Sequence, residues 1–244
     1  DLDQPLASGL IDIQNAWLYY LAPPPASGVN DTRMCHFTVA LTGDETRPPP
    51  ERAVLISTTG IYGDCAGDWI TEDRPAAPLV DRARRRVDAE QVFTGWAQGI
   101  GTSAVILRVP GIYGPNRLPL KRLQSGAPVL SETESPWSNR IHATDLVRSC
   151  MAVVRHDNPA AIYNICDGHP STMTDYFNQV ADYLGLARPP VISRTQADKQ
   201  LTAGMLSYLA ESKRIDNSLM REHLGVDPVY PDLAAGLLAC KKTC

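Results

Sequence analysis

The sequence predicts an α/β chain, with a doubly wound parallel sheet followed by a smaller, mainly helical carboxyl-terminal lobe. Three observations carry this. Four short segments are nearly continuously apolar, as strands covered on both faces tend to be. Segments with helical spacing alternate with them, and such alternation produces parallel sheets with right-handed crossovers. Beyond about residue 170 the alternation stops, and helical segments separated by proline-rich joints take over.

The elements follow in order. After a loop-like opening, DLDQPLASGL, the first strand is Trp17 to Ala22 (WLYYLA). Asn30 and Asp31 supply capping side chains for a helix running toward Leu41. The second strand, Val54 to Thr58 (VLIST), ends in three hydroxyl residues, Ser57, Thr58 and Thr59, and then opens into a glycine-flanked tyrosine. A hydroxyl buried without a partner costs free energy, so this run is expected at the carboxyl end of a strand facing a cleft. Gly60, Gly63 and Gly67 follow, but DWITEDRPAAP does not read as a helix, so the set is a loop. Asp81 to Ala97 places Val87, Val92, Phe93 and Trp96 at helical spacing. Ala104 to Val109 (AVILRV) and Ala161 to Ile165 (AIYNI) are the remaining strands. Between them Asp145 to Val154 opens with an aspartate where the helix dipole favours negative charge. Thr172 to Leu184 and Tyr208 to Leu224 are the helix candidates of the second lobe, with joints at Arg188 to Val191 and Asp227 to Pro231.

A chain of 244 residues can form one large domain or two small ones, and 43% hydrophobic with 20% charged residues is the composition of a folded protein. A formal net charge of -4 argues against a general nucleic-acid binder. The apolar stretch Ala16 to Pro25 is too short to cross a bilayer, ends in three prolines and lacks the basic flank of a secretion signal. The six cysteines form no CxxC pair, and no histidine stands at metal-ligand spacing. They read as reduced structural thiols of a cytoplasmic protein without a metal site. Pairing or metal binding by Cys240 and Cys244 is the alternative. No G-x-G-x-x-G occurs, so the glycine-rich turn that cradles a pyrophosphate is absent from the sequence.

The succession LAPPP, STTGIYGD, RVPGIYGP, NRIHATDL, IYNICDG and SKRIDNSLMREHLG, in that order between Trp17 and Leu237, resembles the short-chain dehydrogenase/reductase superfamily. The nearest likeness is to its extended and atypical branches of NAD-dependent epimerase/dehydratase type. The resemblance implies a Rossmann-type doubly wound parallel sheet whose first three strands this chain lacks. It divides the chain into a truncated dinucleotide-binding domain, 1–168, and a substrate-binding lobe, 169–244, with 116–142 contributing to the substrate pocket. It further implies NAD or NADP as cofactor, without choosing between them, and a small polar substrate such as a nucleotide sugar. A homodimer through paired helices is expected, with no nucleic-acid or membrane partner. If the chain is a fragment that has lost its first strands, an exposed sheet edge would threaten its solubility.

The same resemblance implies site residues. In that family a strand ending in hydroxyls brings a Ser or Thr to the nicotinamide and the substrate carbonyl, and counting back from the Tyr–Gly pair sets Thr58 there. Its hydroxyl would donate to an oxygen gaining negative charge; the plainer reading is a hydroxyl that caps the strand end. Ala22, Pro23, Ser57, Arg86, Pro110, Gly111 and Ile112 fall on the cofactor side, and Thr59, Gly60, Tyr62, Asn139, Arg140 and His142 on the substrate side. LAPPP serves equally well as a strand stopper, PGI as an ordinary strand exit, and the tyrosines of the two YG turns as core. His142, close in sequence to Arg140 and Asp145, is a candidate proton carrier or a structural histidine.

The chain departs from the family in the helix that follows. The family's base is a tyrosine, with a lysine four residues on and a glutamate four beyond that. Setting Glu90 on the glutamate puts Arg82 and Arg86 in the other two places, and no tyrosine in the chain has a lysine four residues later. Arginine stays protonated and has no proton to exchange. A positioned acid or base contributes about 100- to 10,000-fold in rate. The expectation is therefore a slow enzyme unless another group substitutes, or a non-catalytic dinucleotide-binding or regulatory member. Arg86 can still donate to ribose hydroxyls, and the run RARRR is either a solvated face or a holder of phosphate or carboxylate.

Overall fold

A computed structural model describes residues 1–42 and 48–240, so Cys244 lies outside the described residues. Contacts divide the chain into two units. The first comprises residues 1–63, 74–109 and 150–164, and the second 64–73, 110–149 and 165–244.

In the first unit, β1 (Trp17–Tyr20), β2 (Arg52–Thr58), β3 (Ser103–Val109) and β4 (Ile162–Asn164) form one parallel sheet in that order. α1 (Thr32–Leu41) lies in the chain between β1 and β2, α2 (Asp81–Ile100) between β2 and β3, and α3 (Ala143–Arg155) before β4. Ala53, Val54 and Leu55 are wholly buried in succession, which explains why β2 reads as a continuous apolar run. Tyr20, Leu55 and Ile106 pack with Met34 of α1 and Ala89 and Phe93 of α2. Alternation along a strand sends Tyr19 to the opposite face, where its hydroxyl donates to the Cys150 carbonyl of α3 at 2.8 Å. Arg52 reaches the Val153 carbonyl of the same helix at 2.6 Å. The sheet is thus covered on both sides, as the strand–helix alternation predicts.

Local chemistry sets the helix ends. Asp31 is the N-cap of α1, its carboxylate accepting from the Met34 amide at 3.1 Å. α2 runs past Ala97 to Ile100 and stops at Gly101, whose φ of 71° is left-handed. The glycines after β2 do form a loop. Thr59–Tyr62 make one 3-10 turn, and Gly63 ends it at φ 66°, ψ -148°, a region open essentially to glycine alone.

The second unit is built of short strand pairs and helices. Gly111–Tyr113 pairs in parallel with Arg140–His142, Trp69–Ile70 with Arg214–Ile215, and Val129–Leu130 with Val191–Ile192. Trp137–Ser138 pairs antiparallel with Ser171–Thr172. The helix Met173–Leu184 buries Phe177, Val180 and Ala181 against Tyr113, Leu123, Leu233 and Leu237.

One expected helix is not there. In place of Tyr208 to Leu224 the chain forms a helix at Ala203–Leu209, the strand Arg214–Ile215 and a π-helical turn at Leu219–His223. The segment has no glycine or proline to break a helix before Gly225. What breaks it is pairing with Trp69–Ile70, a partner remote in sequence.

Gly63 supplies a test of the loop. A Cβ there would stand 2.1 Å from the Ala77 carbonyl oxygen, whereas at Gly28, also at positive φ, it would meet nothing within 4 Å. Gly63→Ala should lower stability in urea unfolding by more than about 3 kcal/mol, because strain and clash add, and Gly28→Ala by only about 1–2 kcal/mol.

Candidate functional site

The carboxyl end of the first unit's sheet carries a row of polar residues. Ser57 of β2 is in register with Arg108 of β3, and Arg108 with Asn164 of β4. Parallel partners project the same way, so all three side chains share the face covered by α2. From α2 the Glu90 carboxylate accepts from the Ser57 hydroxyl and from Arg108, through Nη2 at 2.9 Å and Nε at 3.4 Å. Arg108 Nη1 donates to the Tyr62 hydroxyl at 3.0 Å, and that hydroxyl donates to Asn164 Oδ1 at 2.8 Å. All five residues are buried. Burial works against the Arg108 charge, but the Glu90 carboxylate outweighs it and holds the guanidinium above its ordinary pKa.

This network relocates two of the expected ligand contacts. Ser57 is buried, and its proton goes to Glu90. Tyr62 is wholly buried, and its hydroxyl both accepts and donates within the network. Thr58 projects to the other face of the sheet and is half-buried. Its Oγ1 accepts from the Gly60 amide at 3.2 Å, capping the 3-10 turn. A hydroxyl that accepts one bond keeps its own proton to give, so the cap and the donor role are compatible. Thr59 is buried in the turn, and Gly60 is half-buried.

The arginine run is neither a bare solvated face nor an open anion site. Arg84 pairs with Asp81 at 2.7 Å on the surface, and Arg85 donates to the Gly28 carbonyl. Arg86 donates through Nη2 to the Ala22 carbonyl at 2.9 Å and stands 3.9 Å from the wholly buried carboxylate of Asp31. Arg33 adds a bond to the Pro23 carbonyl at 3.1 Å. Three guanidinium groups therefore hold the loop 21–30 by its own carbonyls. The expected contacts Ala22 and Pro23 are the acceptors. Burial pulls the Arg86 pKa down. Its Nη1 and the Asp31 Oδ2 are enclosed without a hydrogen-bond partner among the described residues. Arg82 is half-buried in the first turn of α2.

In the second unit, Gly111 and Ile112 pair with Arg140 and Ile141, which places this expected turn directly beside the Arg140–His142 strand. Pro110 immediately precedes the strand Gly111–Tyr113. Asn139 is occupied at both ends, donating to the Lys213 carbonyl at 3.0 Å and accepting from the Ile215 amide at 2.8 Å. Arg140 is buried with its guanidinium carbon 3.9 Å from the centre of the Tyr176 ring. His142 is buried between Tyr230 and Tyr113, with ring centres 4.1 and 5.3 Å away. Its Nδ1 accepts from the Thr144 amide at 3.2 Å, and burial lowers its pKa. Asp145 makes no hydrogen bond to it among the described residues, although its charge opposes the effect of burial. That carboxylate holds the Val229 and Tyr230 amides at 2.9 and 3.0 Å, well beyond the dipole role its position suggests.

Sequence reasoning passed over Asp167, which is 4% exposed. Its amide donates to the Arg140 carbonyl at 2.9 Å, its Oδ1 accepts from the His169 amide at 3.0 Å, and its Oδ2 has no hydrogen-bond partner among the described residues. Burial pushes its pKa up to about 7. The signal was an aspartate placed directly after the apolar run AIYNIC.

A model of the family described as NAD dependent epimerase/dehydratase matches residues 35–166, more than half of the chain. The chain belongs to the NAD-dependent epimerase/dehydratase family. Ser57, Thr58, Glu90 and Arg108 all fall within the matched segment. The chain is 30% identical over 183 residues to Protein YeeZ of Escherichia coli (strain K12), an alignment covering 74% of this chain and 59% of that relative's length. Among solved structures, a functionally unknown conserved protein from Silicibacter pomeroyi DSS is 28% identical with a TM-score of 0.78, over 93% of this chain and 77% of its own. UDP-glucuronic acid 4-epimerase from Bacillus cereus in complex with NAD is 18% identical with a TM-score of 0.70, over 93% of this chain and 71% of its own, a likeness of fold.

Two outcomes follow from this geometry. Glu90→Ala leaves a buried guanidinium uncompensated and should cost about 3–5 kcal/mol in urea unfolding, whereas replacing Glu90 and Arg108 together by leucine and methionine should recover most of that loss. For Asp167, the folded pKa lies above the ordinary value of 3.8, so the folded state binds the extra proton and stability falls as pH rises from about 4 to about 7. Asp167→Asn should remove that slope, leaving the variant more stable than the parent at about pH 8 by up to about 4 kcal/mol in thermal unfolding.

Proposed function

We propose that the chain binds NAD or NADP and takes part in hydride transfer on a nucleotide sugar or a similar small polar substrate. The observation that carries this reading is Thr58, half-buried at the carboxyl end of an interior strand, with its Oγ1 accepting from Gly60 and its own proton left to give. Family membership and the NAD complex of the Bacillus cereus neighbour support the choice of cofactor. A bound nicotinamide supplies the centre that accepts or donates the hydride. Thr58 fits the group, because a hydroxyl donor stabilises an oxygen whose negative charge grows in the transition state. Ser57, Glu90 and Arg108 hold the strand end from which it projects. Pro110, Gly111 and Ile112 belong to the cofactor side in this proposal, and Arg140 and His142 to the substrate side.

Arg86 does not fit the ribose role in its present position. Its Nη2 is on the Ala22 carbonyl and its Nη1 is enclosed. Neither Arg82 nor Arg86 has a proton to exchange. This favours a second reading, dinucleotide binding without turnover. A cytoplasmic location and pairing of two copies through helices belong to the same proposal. The described cysteines are free thiols, and no helix among the described residues is long and apolar enough to cross a membrane.

Calorimetric titration with both dinucleotides, followed by single-turnover assays of nicotinamide reduction with a panel of nucleotide sugars, tests both readings. Turnover that falls about 100- to 1,000-fold in Thr58→Val, with dinucleotide affinity unchanged, is expected from the first. Binding without turnover selects the second, and absence of binding by either dinucleotide contradicts both.

A further inference from the structure

We propose that Trp69, Arg214 and Trp137 form a surface site for a sugar acid, a pyranose carrying one carboxylate. The three residues come from three separate short strands of the second unit. The Arg214 guanidinium carbon lies 5.5 Å from the centre of the Trp69 ring and 5.3 Å from that of Trp137, within cation–π range of both. Trp69 is 51% exposed and Trp137 38% exposed. Single exposed apolar residues are ordinary, but two indoles flanking one cation form a contiguous patch.

The patch is held in place from behind. Arg214 Nε donates to the Gly67 carbonyl at 2.7 Å. Gly67 has φ 81°, which side chains rarely adopt, and a Cβ on it would stand 3.1 Å from Trp137 Cδ1 and push the indole back by a few tenths of an ångström. The Cys65 and Gly67 amides both donate to the Ser212 carbonyl, at 3.0 and 2.9 Å, and the Trp137 amide donates to the Ser212 hydroxyl at 3.1 Å. Arg214 Nη1 and Nη2 and the two indole N–H groups have no hydrogen-bond acceptor among the described residues. The patch thus offers donors and half-exposed aromatic rings.

That combination defines the ligand chemistry. The two terminal nitrogens of a guanidinium match the two oxygens of a carboxylate. Half-exposed aromatic rings that bear N–H groups suit a partner with an apolar face and a polar rim, which is what a pyranose ring presents. Asp64, whose carboxylate accepts from the Ser212 amide at 2.8 Å, adds a negative charge beside the patch and disfavours a dianion. A stack that only fastened the strands would bind nothing.

The full chain labelled with nitrogen-15 gives four indole N–H signals, from Trp17, Trp69, Trp96 and Trp137, which single phenylalanine variants assign. Titration with D-glucuronate should move the Trp69 and Trp137 signals saturably, with a dissociation constant on the order of 1 mM, and leave Trp17 and Trp96 in place. Glucose should bind about tenfold more weakly, as should glucuronate to Arg214→Gln, and glucose 1-phosphate no more tightly than glucuronate. Unmoved signals, movement of all four, or equal response to glucose and glucuronate would overturn the proposal. Tighter binding of the phosphate would overturn the assigned ligand class. Shifts that follow protein concentration instead would identify the patch as a contact between copies. No dinucleotide and no turnover are needed, so the result stands apart from the proposed redox function.

Discussion

The ion pair between Glu90 and Arg108 is the constraint on which the first unit depends. Two charges taken out of water are tolerable only when their remaining hydrogen-bonding capacity is also met. Here Ser57 donates to Glu90 and Tyr62 accepts from Arg108, and Asn164 in turn accepts from Tyr62. The pair therefore fixes the ends of β2, β3 and β4, the turn after β2 and the middle of α2 together. Removing either charge leaves the other buried without its counter-charge. Thr58, the residue with a proton to give, is the next residue along β2, so its position is inherited from a network it does not join.

A second set of ionic contacts explains what became of the helix positions where this family carries its acid/base pair. Guanidinium groups can donate but cannot exchange protons, and here Arg85 and Arg86 donate to the carbonyls of Gly28 and Ala22. Arg86, which the resemblance sets on the cofactor side, holds the loop after β1. The family's fold is present, while Arg86, one of the two places that the resemblance assigns to that pair, holds backbone. This division is the reason that membership of the family and turnover are separate questions for this chain.

Much of the fold was legible because burial on both faces leaves a plain mark. VLIST and AVILRV read as strands since nearly every residue in them is covered, and Asp31 read as a cap because its side chain acts only three residues away. The contacts that escaped were those made at long range. Arg108 stands out within an apolar strand, yet nothing in local spacing names Glu90 as its partner. Tyr208 to Leu224 carries no breaker, and only the remote strand Trp69–Ile70 makes its middle extended. Asn139 looked available for a ligand because the backbone of residues 213–215, which occupies its amide, is far along the chain. Asp167 was missed for the same reason, since its burial is a property of the packed unit.

Hydrogen exchange at the Gly60 amide, which Thr58 Oγ1 accepts, reports directly on whether the buried pair holds the strand end. In the native chain that amide should exchange only through global unfolding, with the same free energy as the amides of β2. In Arg108→Met it should open locally, at a free energy several kcal/mol below the global value that the variant retains. Equal protection of Gly60 in the two proteins, relative to their global stabilities, would contradict the account.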